Sequence, residues 1–288
     1  MKKMKSSKSI VLGTTVFVML SAGVFAQQLK SPAPSPTQTL KQNFALGDIS
    51  IEYSRPGMKG RTIYGDLVPF DKVWRTGANA STKVTFSDNV KVEGNTVPAG
   101  TYSLYTIPGK TEWTIILNKN TKLWGSDGYK QEEDLVRFKV KPMTMSDQAE
   151  TFTINIADVT STSAHIDLLW AKTLVAFNVV ANIDSAMMKN IETALSSVDK
   201  RPYSQAASYY FDNGKDLNKA LEWVNKAVEL NPKAFNAFNL KAKIQLKMKD
   251  YKGAIASAEQ SNTLAKDAKN DEYVKMNDKI IEEAKKGR

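Results

Sequence analysis

The chain contains no cysteine. That single absence excludes disulfides, thiolate zinc sites, iron–sulfur clusters and thiol nucleophiles. Histidine is nearly absent too, with His165 as its one copy. A multi-histidine metal centre is therefore excluded, and a histidine-based triad has one residue to build on. No metal or cofactor is expected. Past the first 26 residues there is no apolar run long enough to cross a bilayer.

The 288 residues are 42% hydrophobic and 24% charged, which is ordinary for one or two globular domains. The net charge of +10 is unevenly placed. Four lysines, Lys2, Lys3, Lys5 and Lys8, sit at the extreme N-terminus. Gln27 to Asp184 holds 17 basic against 16 acidic residues, and the remainder holds 19 against 14. The basic excess is dispersed along the C-terminal part. Such a pattern fits weak attraction to acidic partners and speaks against nucleic-acid binding.

The N-terminus has the three parts of an export signal. "MKKMKSSKS" is basic, "IVLGTTVFVML" is apolar, and "SAGVFA" ends with Val24 and Ala26 as small residues before Gln27. Cleavage after Ala26 is expected, which makes the mature protein periplasmic or secreted. An uncleaved anchor is the rival, but Ile10 to Ala26 falls short of the roughly 20 residues a spanning helix needs. An exported chain without cysteine points to a bacterial envelope, since small secreted eukaryotic domains often depend on disulfides.

The expected organisation is multidomain, all-β followed by all-α. Residues 27–42, with Pro32, Pro34 and Pro36, read as a semi-extended linker. Residues 43–183 alternate in the manner of strands. Ile49, Ile51 and Tyr53 share one face, as do Phe152, Ile154 and Ile156. "GTYSLYTIPG" and "TEWTIILN" form a hairpin pair, and "SAHIDLLWA" and "TLVAFNVV" read as two further strands. About eight short strands predict an antiparallel β-sandwich. From residue 184 the period becomes helical. "DLNKALEWVNKAVELNP" and "DYKGAIASAEQSNTLAK" align at a spacing of 34, pairing Asp216 with Asp250 and Ala220 with Ala254. That is the tetratricopeptide period, so residues 184–288 are expected to form tetratricopeptide-like helical hairpins, capped by a helix near 272–285. Their concave groove would hold a protein partner.

One connection stands out. "SRPGMKGRTIYGDLVPFDKVWRTGANAS" carries Arg55, Arg61, Trp74, Arg75 and Asn79. Three guanidiniums in a glycine-containing loop can converge on an anion, because the guanidinium fork binds oxyanions at two points. They can equally pair with Glu52, Asp66 and Asp71 and hold the loop to the sheet. Trp74 is expected to plug the core, with stacking on a sugar or aromatic ligand as its other role. Asn79 is expected to bond its own backbone in an Asx-type turn. His165 and Asp167 fall on one strand face as a base and its orienter, yet no serine nucleophile is placed beside them. The acidic loop of residues 124–135 lacks calcium-binding spacing and reads as solvated.

Together with "VPAGTYSLYTIPG", "EWTIILN" and "WG" at 124–125, that connection resembles the bacterial family catalogued as domain of unknown function 2911, over about residues 44–183. The resemblance implies an envelope protein whose β-domain often precedes tetratricopeptide-like helices. It implies no activity, so no catalytic residue carries over. An acidic residue commonly follows the Asn in the family pattern. Here it is Ala80, and a role resting on that carboxylate has no bearer. Two functions follow. One is a non-enzymatic binding or scaffolding protein working through its helices. The other is a hydrolase or an anion- or glycan-binding protein with a pocket lined by Arg55, Arg61, Arg75, Asn79 and Trp74.

Overall fold

A computed structural model describes residues 31–197 and 201–287. The expected signal peptide lies outside the described residues. Residues 37–181 form two packed antiparallel sheets. The first sheet has the order β1 (Thr37–Phe44), β2 (Gly47–Ser54), β3 (Ala78–Phe86), β6 (Gly100–Ile107), β7 (Trp113–Asn118), β8 (Asp134–Val140). The second runs β5 (Asn95–Val97), β4 (Val90–Val92), β10 (Ser163–Ala181), β9 (Met143–Ala157). Their facing side chains make one core, in which Ile49, Val84, Leu104, Ile115, Phe152 and Ile166 have no solvent exposure. The hydrophobic alternation of β2, β9 and the first half of β10 points inward as the sequence predicts.

Two elements differ from the sequence expectation. β1 begins at Thr37, inside the stretch assigned to the linker, and pairs along its whole length with β2. Its alternation of polar residues hides it, because an edge strand with one wet side needs few apolar residues. The two strands expected at the end of the domain are one 19-residue strand, β10. Inward residues fall on even positions up to Trp170 and on odd positions from Val175. The register slips on both sides of Ala171, which has φ 52°, so a bulge absorbs the phase change. A change of phase in sequence thus looks like a strand break.

Six packed helices follow as hairpins: α1 (Asp184–Ser196), α2 (Tyr203–Asp212), α3 (Leu217–Leu230), α4 (Phe235–Lys247), α5 (Tyr251–Asp267) and α6 (Asp271–Lys286). The 34-residue spacing has a physical basis. Asp216 and Asp250 cap α3 and α5 by accepting backbone N–H bonds, and Ala220 and Ala254 are fully buried one turn later. A small residue there lets neighbouring helices approach. Asp184 or Ser185 would suit a cap by chemistry, yet α1 has no side-chain cap, and Asp184 is its first residue. The Asp184 carboxylate instead accepts from Lys215 Nζ (2.7 Å) and Tyr209 Oη (2.9 Å), and those bonds lower its pKa. Replacing Asp216 with Ala should cost the helical region about 1 kcal/mol, since the caps on Asn218 and Lys219 are lost. Urea unfolding followed at 222 nm measures it; no change in midpoint would show the cap to be ornamental.

Candidate functional site

The Arg-rich connection leaves β2 at Ser54 and returns to β3 at Ala78. Its last turn lies against the end of β6. Trp74 and Thr106 exchange backbone bonds of 2.8 and 2.9 Å, and Asp71 N–H donates to Pro108 O. The chain then reverses within four residues. Thr76 (φ 55°), Gly77 (φ 150°) and Asn79 (φ 60°) all have positive φ. For a buried, β-branched residue such as Thr76 this is a genuine outlier, costing on the order of 1–3 kcal/mol. Its hydroxyl is tied to Thr106 Oγ1 at 3.1 Å. A side chain at Gly77 would meet Ser54 O at 3.0 Å, so glycine is required there by space as well as by φ.

Alternation sends Trp74 inward. It stacks on Trp170 at 5.8 Å and meets Trp113, Tyr64 and Phe152 edge-on. Its Nε1–H donates to Gly77 O at 3.1 Å. The core role expected of it is what the structure shows. Asn79 departs from expectation. Its amide donates across the chain to Ser54 Oγ (3.1 Å) and Ser35 O (3.2 Å) rather than closing a local turn. It fastens the incoming N-terminal segment to the sheet.

The three arginines do not pair with the nearby acids. Arg55 donates to Phe152 O and Thr153 Oγ1, which ties the connection to β9. Arg61 donates to Met58 O (2.9 Å) and Gly57 O (2.7 Å). Glu52 faces Lys83 instead. Among the described residues no ion pair joins a carboxylate to Arg55, Arg61 or Arg75. The physical reason is that the loop carries Asp66 and Asp71 to exposed positions, where water solvates them at little cost.

Arg75 turns away from the core towards the segment 119–133, which covers the outer face of the first sheet. Much of residues 124–135 is solvent-exposed as expected, but side chains of the first sheet fasten the segment. Tyr105 Oη donates to Gly125 O, Ser103 Oγ to Asn120 O, and Asn118 Nδ2 to Lys130 O. Tyr129 and Arg137 both donate to Asp134. A Cβ on Gly125 would stand 3.0 Å from Arg75 Nη1, so the glycine makes room for the guanidinium. Burial pushes the Tyr105 hydroxyl pKa up, while a hydrogen bond with Ser81 and the charge of Arg75 pull it down. Arg75 Nε is buried and has no hydrogen-bond partner. An orphaned buried N–H of this kind asks for an explanation.

A cleft of about 330 Å³ opens at this place. Arg61, Lys72 and Arg75 bring it positive charge, Ser35 and Ser126 bring hydroxyls, and Trp74 and Trp170 form part of its wall. No Asp or Glu lines it. Of the residues singled out in the sequence, Arg61, Trp74 and Arg75 come together here; Arg55 and Asn79 serve the walls and do not line it. Lys72 was legible beside Trp74 and was missed. Ser35, Ser126 and Trp170 come from distant segments and carried no local signal. His165 does not line the cleft, and its Nδ1 lies 3.2 Å from Asp158 Oδ2 rather than pairing with Asp167.

Neither the curated proteins nor the solved structures contain a match to this chain. A family model does match, over residues 35–179, which takes in β1 and reaches further towards the N-terminus than the motifs alone indicate. With half of its length matched, and six helices following, the chain belongs to DUF2911, a family of proteins of unknown function.

Proposed function

We propose that the β-sandwich is a binding module for a small anionic ligand held in the cleft at Arg75. The observation that carries this is the charge arrangement. Three cationic residues line one cleft, no carboxylate among the described residues lines it or pairs with them, and Arg75 keeps a buried N–H without a partner. An anion supplies the missing charge. The same arrangement weighs against the hydrolase reading, because the lining offers no Asp, Glu or His as general acid or base. The protein on this reading is exported after cleavage at Ala26 and acts in a bacterial envelope without catalysis.

A second activity belongs to the helices. The equivalence of Asp216 with Asp250 and of Ala220 with Ala254 supports tetratricopeptide-like repeats, and so a protein partner. α2, α4 and α6 share a polar groove of about 340 Å³ with Asn236, Asn239 and Lys243 on its wall. The β-module would then sense or hold a ligand while the helices hold a scaffold partner.

Calorimetric titration of the full chain with sulfate and with small carboxylates, at low ionic strength, tests the anion reading. Saturable one-to-one binding is expected. Replacing Lys72 with Ala should weaken it about three- to tenfold, the loss of one partly screened charge. Absence of saturable binding, or indifference to Lys72, would sink the proposal.

A further inference from the structure

Trp124 is 74% exposed, far more than any other large apolar side chain among the described residues except Leu230. Solvent exposure of this degree usually marks a loose loop. Here the backbone on both sides is fastened. Leu123 O accepts from Ser81 N–H, and Gly125 O accepts from the buried Tyr105 hydroxyl. The exposed indole is therefore carried by backbone fastened on both sides. Its position is also specific. The next residue, Gly125, packs on Arg75 Nη1, and the one after, Ser126, lines the cleft. Trp124 is thus two residues along the chain from a lining residue of the cationic cleft. Leu67, 42% exposed, and Pro69 also line that cleft.

These features describe a ligand with three properties. It bears negative charge, for Arg61, Lys72 and Arg75. It carries hydroxyls, for Ser35 and Ser126. It has flat apolar faces, for an exposed indole. A sugar acid combines them: the carboxylate is the anion, the ring edge carries hydroxyls, and the ring face of C–H groups stacks on tryptophan. A cleft of about 330 Å³ suits one such ring. Trp124 lies outside it and is left for the adjoining ring. We infer that the ligand is an acidic oligosaccharide, with one uronic-acid residue in the cleft and its neighbour on Trp124. This rests on the anion-binding reading of the same cleft, to which it adds the ligand class.

The test uses the full chain and four probes: sulfate, galacturonic acid, trigalacturonic acid and neutral maltotriose. Affinities are measured by calorimetry and by tryptophan emission, in which exposed Trp124 contributes apart from the buried indoles. The trimer should bind about tenfold more tightly than the monomer, the gain of one stacked ring. Trp124→Ala should reduce the trimer to the affinity of the monomer and leave sulfate and monomer binding unchanged. Equal affinity for trimer and monomer, or a trimer indifferent to Trp124→Ala, overturns the inference while leaving the anion cleft standing. Maltotriose binding as tightly as the trimer overturns it as well, because charge would then play no part. Failure of sulfate and of monomer together overturns the anion reading and this inference with it. Since Trp124 packs little of its surface on the protein, the variant is expected to fold, and unchanged near-ultraviolet dichroism of the buried indoles verifies that it has.

Discussion

Trp74→Ala should destabilise the β-domain by about 3–5 kcal/mol, the range for deleting a buried large aromatic side chain. The location explains why the loss should be large. Trp74 is the meeting point of four other rings. Trp170 stacks on it, while Trp113, Tyr64 and Phe152 present edges. The rings come from β7, β9, β10 and the Arg-rich connection, so a cavity at Trp74 loosens both sheets at once. Gly77 O also loses its donor next to the strained turn at Thr76. Trp74→Phe separates the two contributions. It keeps much of the aromatic surface and removes the indole N–H, and it should cost about 1–3 kcal/mol. Urea unfolding followed by near-ultraviolet dichroism, where the packed indoles dominate, gives both values. A loss below about 1 kcal/mol for Trp74→Ala, against the usual range, would show that the cluster does not hold the sheets together.

Much of the fold can be read directly from the order of residues. The alternation in β2 and β9 and the 34-residue spacing of α3 and α5 are each dictated by local geometry, a period of two or a repeated cap and small residue. What resists reading is of another kind. β1 is polar because it lies at a sheet edge, so hydrophobic periodicity has little to report. β10 changes phase at Ala171, and only the pairing with β9 shows that the strand continues. Asp184 has the chemistry of a helix cap, but Lys215 and Tyr209 compete for its carboxylate and win.

The cleft follows the same rule. Arg61, Trp74 and Arg75 are visible because one connection carries them. Ser126 is brought by the segment after β7 and Trp170 by β10, through contacts that no local pattern encodes. Sequence proximity also misleads about partners. Asp66 and Asp71 are the nearest acids to Arg61 and Arg75 along the chain, yet the loop turns them to solvent; Arg55 and Arg61 bond to backbone carbonyls and a hydroxyl, and Arg75 Nε has no partner. Segments 80 to 100 residues away decide the matter, as Arg55 on Phe152 and Thr153 shows.

Arg75→Met should stabilise the protein and at the same time weaken anion binding, and this pairing of opposite effects is the sharpest consequence of the cleft. Methionine keeps the length of the aliphatic stem that packs beneath Gly125 and removes the buried Nε–H that has no acceptor. Leaving a buried donor unsatisfied costs about 1–3 kcal/mol, so its removal should return roughly 1 kcal/mol after imperfect packing. For a domain of this size that corresponds to a rise of about 2–4 °C in Tm. Binding moves the other way. A hydrogen bond to a charged group contributes about 1.5–3 kcal/mol, so affinity for sulfate or a uronic acid should fall about ten- to hundredfold. Arg75→Lys restores charge without the Nε–H and should recover only part of the affinity. A residue serving architecture alone would lose stability when cut back to methionine. A residue that carries an unsatisfied buried N–H gains it, because the free protein has been carrying the cost of that donor. A drop in Tm on Arg75→Met would place Arg75 in the first class and take the main support from the binding site.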